Sequence, residues 1–218
     1  MKTQPVDAQS RGRLMNVELF TAFVLITLVL IVTPGPIVTL VISTGATQGV
    51  RAALMTVAGT TLGNALLLAA IAFGLNWVLT NAGLLFEALR WGGAAYLVWL
   101  GVQAWRHAGK GAQALTPSGH VHFLRGVLVA LSNPKTIVFF TAFLPQFIDP
   151  NLPTGRQLAA MCVVSVLLAA TTDTAWGVAA GLGRAWFMKP ARAKLLGRLS
   201  GSVLIGGGIW LSLARRPG

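Results

Sequence analysis

The sequence predicts an all-α membrane protein: six transmembrane helices as two inverted three-helix repeats, with spans one and four broken by proline. Three observations carry this. The 218 residues are 55% hydrophobic and only 10% charged, where a soluble domain holds roughly a quarter charged residues. Six stretches are near the ~20 apolar residues that a helix needs to cross the hydrocarbon core. Finally, Pro34 and Pro134 interrupt the first and fourth of these stretches, 100 positions apart.

Residues 1–16 are polar, lack periodicity and read as a disordered N-terminal tail. The transmembrane domain covers 17–213, and 214–218 form a short basic C-terminal tail. Lys2, Arg11 and Arg13 before an apolar stretch resemble the start of a signal peptide. That stretch, however, runs well past an h-region without an A-x-A site, so it is expected to remain as a span. The six stretches are Val17–Thr44, Ala53–Leu79, Leu84–Trp105, Gly126–Phe147, Leu158–Met188 and Leu196–Leu213. Trp77, Trp91, Trp105 and Trp186 lie near their ends, where interfacial indoles are favoured.

Seventeen Lys and Arg against five acids would suggest nucleic acid in a soluble protein. Here the basic residues lie mainly between apolar runs, so no nucleic-acid partner is expected. Arg51, Arg106, Lys110, Arg125, Arg184, Lys189, Arg192, Lys194 and Arg198 follow spans one, three and five, against only Arg90 and Arg156 after spans two and four. The positive-inside bias puts the odd connections in the cytoplasm and both termini outside. The three basic residues of the tail argue mildly the other way.

The halves 17–105 and 123–213 are alike. Thr33–Pro36 in span one is answered by Asn133–Lys135 in span four, and the RWGGAAYL of Arg90–Leu97 by the RLSGSVLI of Arg198–Ile205. An odd number of spans per half forces opposite orientations, the architecture of many secondary transporters with a site at the midplane.

Pro34 and Pro36 have no N–H to donate, so the carbonyls of Leu30 and Val32 lose their helical partners, and Gly35 between them adds backbone freedom. Freed polar groups persist at membrane depth only where protein or a water-filled cavity satisfies them. A broken helix also presents one partly negative and one partly positive end. An amino acid zwitterion is complementary to such a pair: carbonyls for its ammonium, amides from Ile37 onward for its carboxylate. A plain proline kink is the structural alternative. Lys135 and Asp173 are the ionisable residues well inside the predicted spans, each costing ~2.5–3.5 kcal/mol at a helix centre. Both should face the bundle interior, and Ala169, Ala170 and Gly177 share a face with Asp173. Asp173 is the candidate proton carrier; Lys135 is its partner or a substrate-carboxylate anchor. A structural ion pair is the other reading.

Gly59 and Gly63, and again Gly197 and Gly201, have the spacing of helix-packing faces, with Asn64 beside the first pair able to hydrogen-bond into the core. Pro145–Phe147 reads as a helix terminus or a polar gate. Cys162, the only cysteine, reads as a small buried apolar residue. His120 and His122 have no Cys or acidic neighbour, so neither metal nor cofactor is expected.

The Pro34-Gly35-Pro36 motif, the GTTLGN of residues 59–64, Leu131–Lys135 followed by Phe139 and Phe140, and the FLPQF of residues 143–147 resemble the LysE/RhtB exporters over about residues 17–213. The resemblance implies six helices in the inner (plasma) membrane of a bacterium. It also implies proton-driven export of amino acids or close derivatives such as homoserine, threonine or leucine, and no enzymatic activity. Pro34, Gly35, Pro36, Asn133, Pro134, Lys135 and Asp173 fall on its motif positions; with Asn64, all but Asp173 form the candidate substrate site, and Asp173 the proton-coupling site. The partners would be an amino acid, protons and the lipid bilayer, with room for a homo-oligomer. Family members begin close to the first span, which makes Met15 an alternative start. A passive small-solute channel is the competing reading; a membrane redox carrier would need cysteine pairs near the breaks.

Overall fold

The computed structural model describes residues 15–81, 83–106, 119–187 and 189–213. Most of the expected N-terminal tail, the C-terminal tail and Lys110 lie outside these residues. Within them every long element is a helix: α1 (Val17–Val32), α2 (Pro36–Gln48), α3 (Val50–Asn81), α4 (Gly83–Arg106), α5 (Gly119–Leu131), α6 (Pro134–Phe143), α7 (Thr154–Leu182), the short α8 (Arg184–Phe187) and α9 (Pro190–Leu213). A 3₁₀ turn, Leu144–Phe147, follows α6.

The helix ends follow from local chemistry. Asn16 caps α1, its Oδ1 accepting from the amides of Glu18 and Leu19. Proline then sets where α2 and α6 begin, because its missing N–H matters least in a first turn. The α1–α2 pair bends by 46°, and α5 bends by 41° against the segment Pro134–Phe147. The fifth apolar stretch, expected to run to Met188, ends at Leu182 because the chain breaks at Gly183, whose N–H caps back onto the Ala179 carbonyl at 2.7 Å.

Val50–Gly74 of α3, all of α7 and all of α9 are each long and apolar enough to cross a membrane, and each bent pair passes the same test when taken together. That gives up to five crossings; α4, which holds Glu87, Arg90 and Arg106, is not among them.

Small residues set the packing distances. Gly59 of α3 lies so close to the Phe123 backbone of α5 that a methyl group would overlap it, and Gly126 meets Thr56 and Thr60 in the same way. A methyl on Gly63 would sit 2.7 Å from Ala130 Cβ. At the other seam, Gly101 of α4 and Gly201 of α9 lie backbone to backbone. α3 thus packs on α5 and α7, α2 on α7, and α4 on α9 and α6. On α7 the buried residues Met161, Ser165, Ala169, Asp173 and Gly177 recur every fourth position and turn one stripe inward.

Candidate functional site

Two hollows compete. The larger, of ≈ 990 Å³ between α3 and α7, is lined by apolar side chains such as Phe73, Val163 and Leu167 and has no charged group. The smaller, of ≈ 40 Å³, lies between the two helix breaks and holds both buried charges, Lys135 and Asp173. That volume admits only a few waters. Charge in an apolar surrounding requires a reason, so the smaller cavity is the candidate site.

Its walls come from five parts of the chain. α1 and the first break give Leu30, Ile31 and Gly35; α2 gives Ile37 and Val38; α3 gives Asn64; the second break and α6 give Asn133, Lys135 and Thr136; and α7 gives Ser165 and Asp173. Five expected residues, Gly35, Asn64, Asn133, Lys135 and Asp173, are thus brought together. Pro34, Pro36 and Pro134 do not line the cavity; Pro36 and Pro134 open α2 and α6 beside it.

Lys135 is 7% exposed, and its Nζ donates to the Leu30 carbonyl at 2.8 Å and the Thr33 carbonyl at 2.6 Å. The negative end of α1 is therefore neutralised by a cation from the opposite half of the chain. The second break is closed locally: Asn133 Oδ1 accepts from the Lys135 amide at 3.2 Å, and Asn133 Nδ2 donates to Thr136 Oγ1 at 2.7 Å. Asp173 is 3% exposed, with the Thr60 hydroxyl 3.4 Å from its Oδ2. These contacts place the two charges in one cavity with separate partners.

Asn64, 5% exposed, has an Oδ1 with no hydrogen-bond partner among the described residues. A buried acceptor left open normally costs about 1–3 kcal/mol, which sets this oxygen apart from the other polar groups that line the cavity. Thr60, Thr136, Ser165 and the Thr33 carbonyl were not singled out as site groups from sequence; the Leu30 carbonyl was, as one freed by Pro34, whereas the second carbonyl engaged is that of Thr33 and not the expected Val32. Ser165 stands two turns before Asp173 on one face, a signal that the helical period carries; backbone carbonyls leave no residue-type signal at all.

Beyond the cavity, Phe139, Phe143, Trp210 and Phe147 form a run of stacked rings with centroids 4.3 to 6.2 Å apart. Gln146, beside Phe147, is buried with its Nε2 unpartnered among the described residues. His122 is buried and His120 exposed, and the described residues contain no cluster able to hold a metal ion.

Residues 28–215 match the LysE type translocator family. The chain is 34% identical over 204 residues to a homoserine/homoserine lactone efflux protein of Salmonella typhimurium, covering 92% of this chain and 99% of that protein. It is 32% identical to an uncharacterised membrane protein of Vibrio cholerae, covering 92% of this chain and all of that one. A leucine efflux protein of Klebsiella pneumoniae is 32% identical over 130 residues, 57% of this chain and 61% of that protein. No solved structure matches. With its apolar helices and its match over most of the chain, the protein belongs to the LysE type translocators: a multi-pass protein of the bacterial inner membrane that transports rather than catalyses.

Proposed function

We propose that the protein is a secondary exporter of amino acids or close derivatives, loaded at the cavity between the two helix breaks and driven by the proton gradient. The observation that carries this reading is the joint burial of Lys135, Asp173 and the unpartnered Asn64 Oδ1 around that one cavity. A cation, an anion and an open acceptor within one water-sized space suit a small zwitterion better than an apolar or a purely anionic solute. The names of two similar proteins point to the same class: homoserine, its lactone and leucine all carry a primary ammonium on a short body.

In this reading each bent pair is one span, α3, α4, α7 and α9 are the others, and the two three-span halves are inverted about the cavity. The excess of Lys and Arg after spans one, three and five puts those connections in the cytoplasm. Substrate enters from that side. Asp173 takes the coupling proton; protonation biases the two access states because the carboxylate and the carboxylic acid interact differently with Lys135 and with substrate.

Export of a panel of labelled amino acids, homoserine and leucine included, from overexpressing cells tests the function, with and without a protonophore. At least one compound is expected to leave faster than from control cells, and the excess to vanish with the protonophore. If nothing leaves faster, the exporter reading falls; excess export that survives the protonophore removes proton coupling alone.

A further inference from the structure

The cation site at the first helix break is already filled. Lys135 Nζ holds the Leu30 and Thr33 carbonyls at 2.8 and 2.6 Å, the bonding that a substrate ammonium would make there. The chemistry is matched: a lysine ammonium and an α-ammonium are both primary, positively charged and three-donor groups. Two of the three lysine donors reach the carbonyls, and the group stands in a cavity that also contains the open Asn64 acceptor and Asp173.

The holder is built to let go. The Lys135 backbone is fixed at the start of α6 by Asn133, while the ammonium sits at the end of a flexible four-carbon stem. Gly35 leaves the path of that stem clear, since a methyl there would lie 3.1 Å from both Lys135 Cδ and Nζ. The charge can therefore swing while the helix stays in place.

We propose that Lys135 is a tethered stand-in for the substrate's ammonium group. At rest it occupies the carbonyl site of the first break, and loading exchanges one primary ammonium for another, the lysine turning toward Asp173. This rests on the reading of the cavity as the substrate site. It adds a specificity rule: the ammonium is required, and a free carboxylate is not. It also assigns Lys135 the part of a competitor, so the carrier binds substrate more weakly than an empty site would, by the fraction of time the site is free.

Calorimetric binding to the purified full chain tests this with three probes: homoserine, homoserine lactone (ammonium without carboxylate) and 4-hydroxybutyrate (carboxylate without ammonium). Wild type is expected to bind the two amines within about threefold of one another and not to bind 4-hydroxybutyrate. Lys135→Met removes the competitor and is expected to bind both amines about tenfold more tightly. If Lys135 instead anchors a carboxylate, Lys135→Met weakens homoserine and leaves the lactone unchanged; that result overturns the exchange, as does binding of 4-hydroxybutyrate at the strength of homoserine. Should Lys135→Met fail to fold, Lys135→Cys in a Cys162→Ser background replaces it. Alkylation with bromoethylamine rebuilds a lysine-like ammonium there and is expected to return affinity from the tighter to the wild-type value; an unchanged affinity overturns the proposal. Absence of amine binding to every variant removes the functional reading itself, and the exchange with it, whereas binding that ignores the lysine removes the exchange alone.

Discussion

The two helix breaks have similar bends, 46° and 41°, yet they satisfy their backbone in opposite ways. At the first, α2 opens on Gly35 with no side-chain cap, and two carbonyls on the α1 side are satisfied from another part of the chain by Lys135. At the second, Asn133 caps α6 within its own break and ties down Thr136. A group satisfied by its neighbours is fixed; a group satisfied by a long charged side chain is exchangeable. In the proposed reading the first break is thus the one that binds and the second the one that holds the lysine in position.

Substitutions at the two breaks and between them separate these roles. The largest effect is expected at Asp173, which faces the lysine across the cavity. Asp173→Asn keeps the shape and the Thr60 contact but cannot carry a proton or a charge, so the proposed proton-driven export should fall by roughly tenfold or more. Export that persists undiminished and still responds to pH would exclude Asp173 as the proton carrier.

Next comes the second break. Asn133→Ala removes a helix cap and orphans the Thr136 contact, an expected loss of about 1–2 kcal/mol of stability read as a lower melting midpoint in detergent. Asn133→Asp, which keeps the accepting oxygen, should recover part of it. An unaltered midpoint in Asn133→Ala would show that the second break is not held by its cap.

At the first break, Gly35→Ala should act on binding and spare stability. Gly35 has φ −135° and ψ −166°, extended backbone that alanine adopts freely, and the atoms nearest to an added methyl belong to the flexible Lys135 side chain. Because the methyl crowds the carbonyl site that the substrate ammonium would share with Lys135, amine binding should weaken by about threefold while the melting midpoint stays put. A large drop in midpoint with unchanged affinity would reverse the roles given to the two breaks.

The smallest effect lies where the two broken pairs meet. Asn16 Nδ2 at the head of α1 donates to Asp149 Oδ2 at 3.3 Å, in the connection after the 3₁₀ turn. The Asn151 amide holds the Asp149 carboxyl below the usual carboxylate range, against some burial and with help from the Asn16 and Asn151 side chains. A lowered value means that the stabilisation is present above the ordinary carboxylate pKa and fades as pH falls through the lowered one. Asp149→Asn should therefore melt slightly below wild type at neutral pH and converge with it once the pH has fallen through the lowered carboxyl pKa. A gap that widens in acid would contradict the assigned sign.

Much of this was legible in the sequence, because proline and charge are conspicuous in lipid. Pro36 and Pro134 set the starts of α2 and α6, and Lys135 and Asp173 had to turn inward, as they do. Asn64 was readable only as a polar residue beside a packing glycine; that its Oδ1 stays open depends on the whole cavity. The freed Leu30 carbonyl was readable from Pro34, but the hold of Lys135 on Leu30 and Thr33 was not, because the partner lies 105 and 102 positions away. The end of α7 at Leu182 was missed because Gly183 to Met188 is apolar enough to pass as more of the same helix.

The size of the cavity has a consequence for the cell that expresses this protein. At ≈ 40 Å³ it has room for a few waters, whereas a conducting thread must cross ~30 Å of hydrocarbon. Each elementary charge that leaked through would dissipate ~2.3 kcal/mol for every 100 mV of membrane potential. The cavity covers only a small part of that distance, so a thread of waters through the protein would have to extend well beyond the space around Lys135 and Asp173.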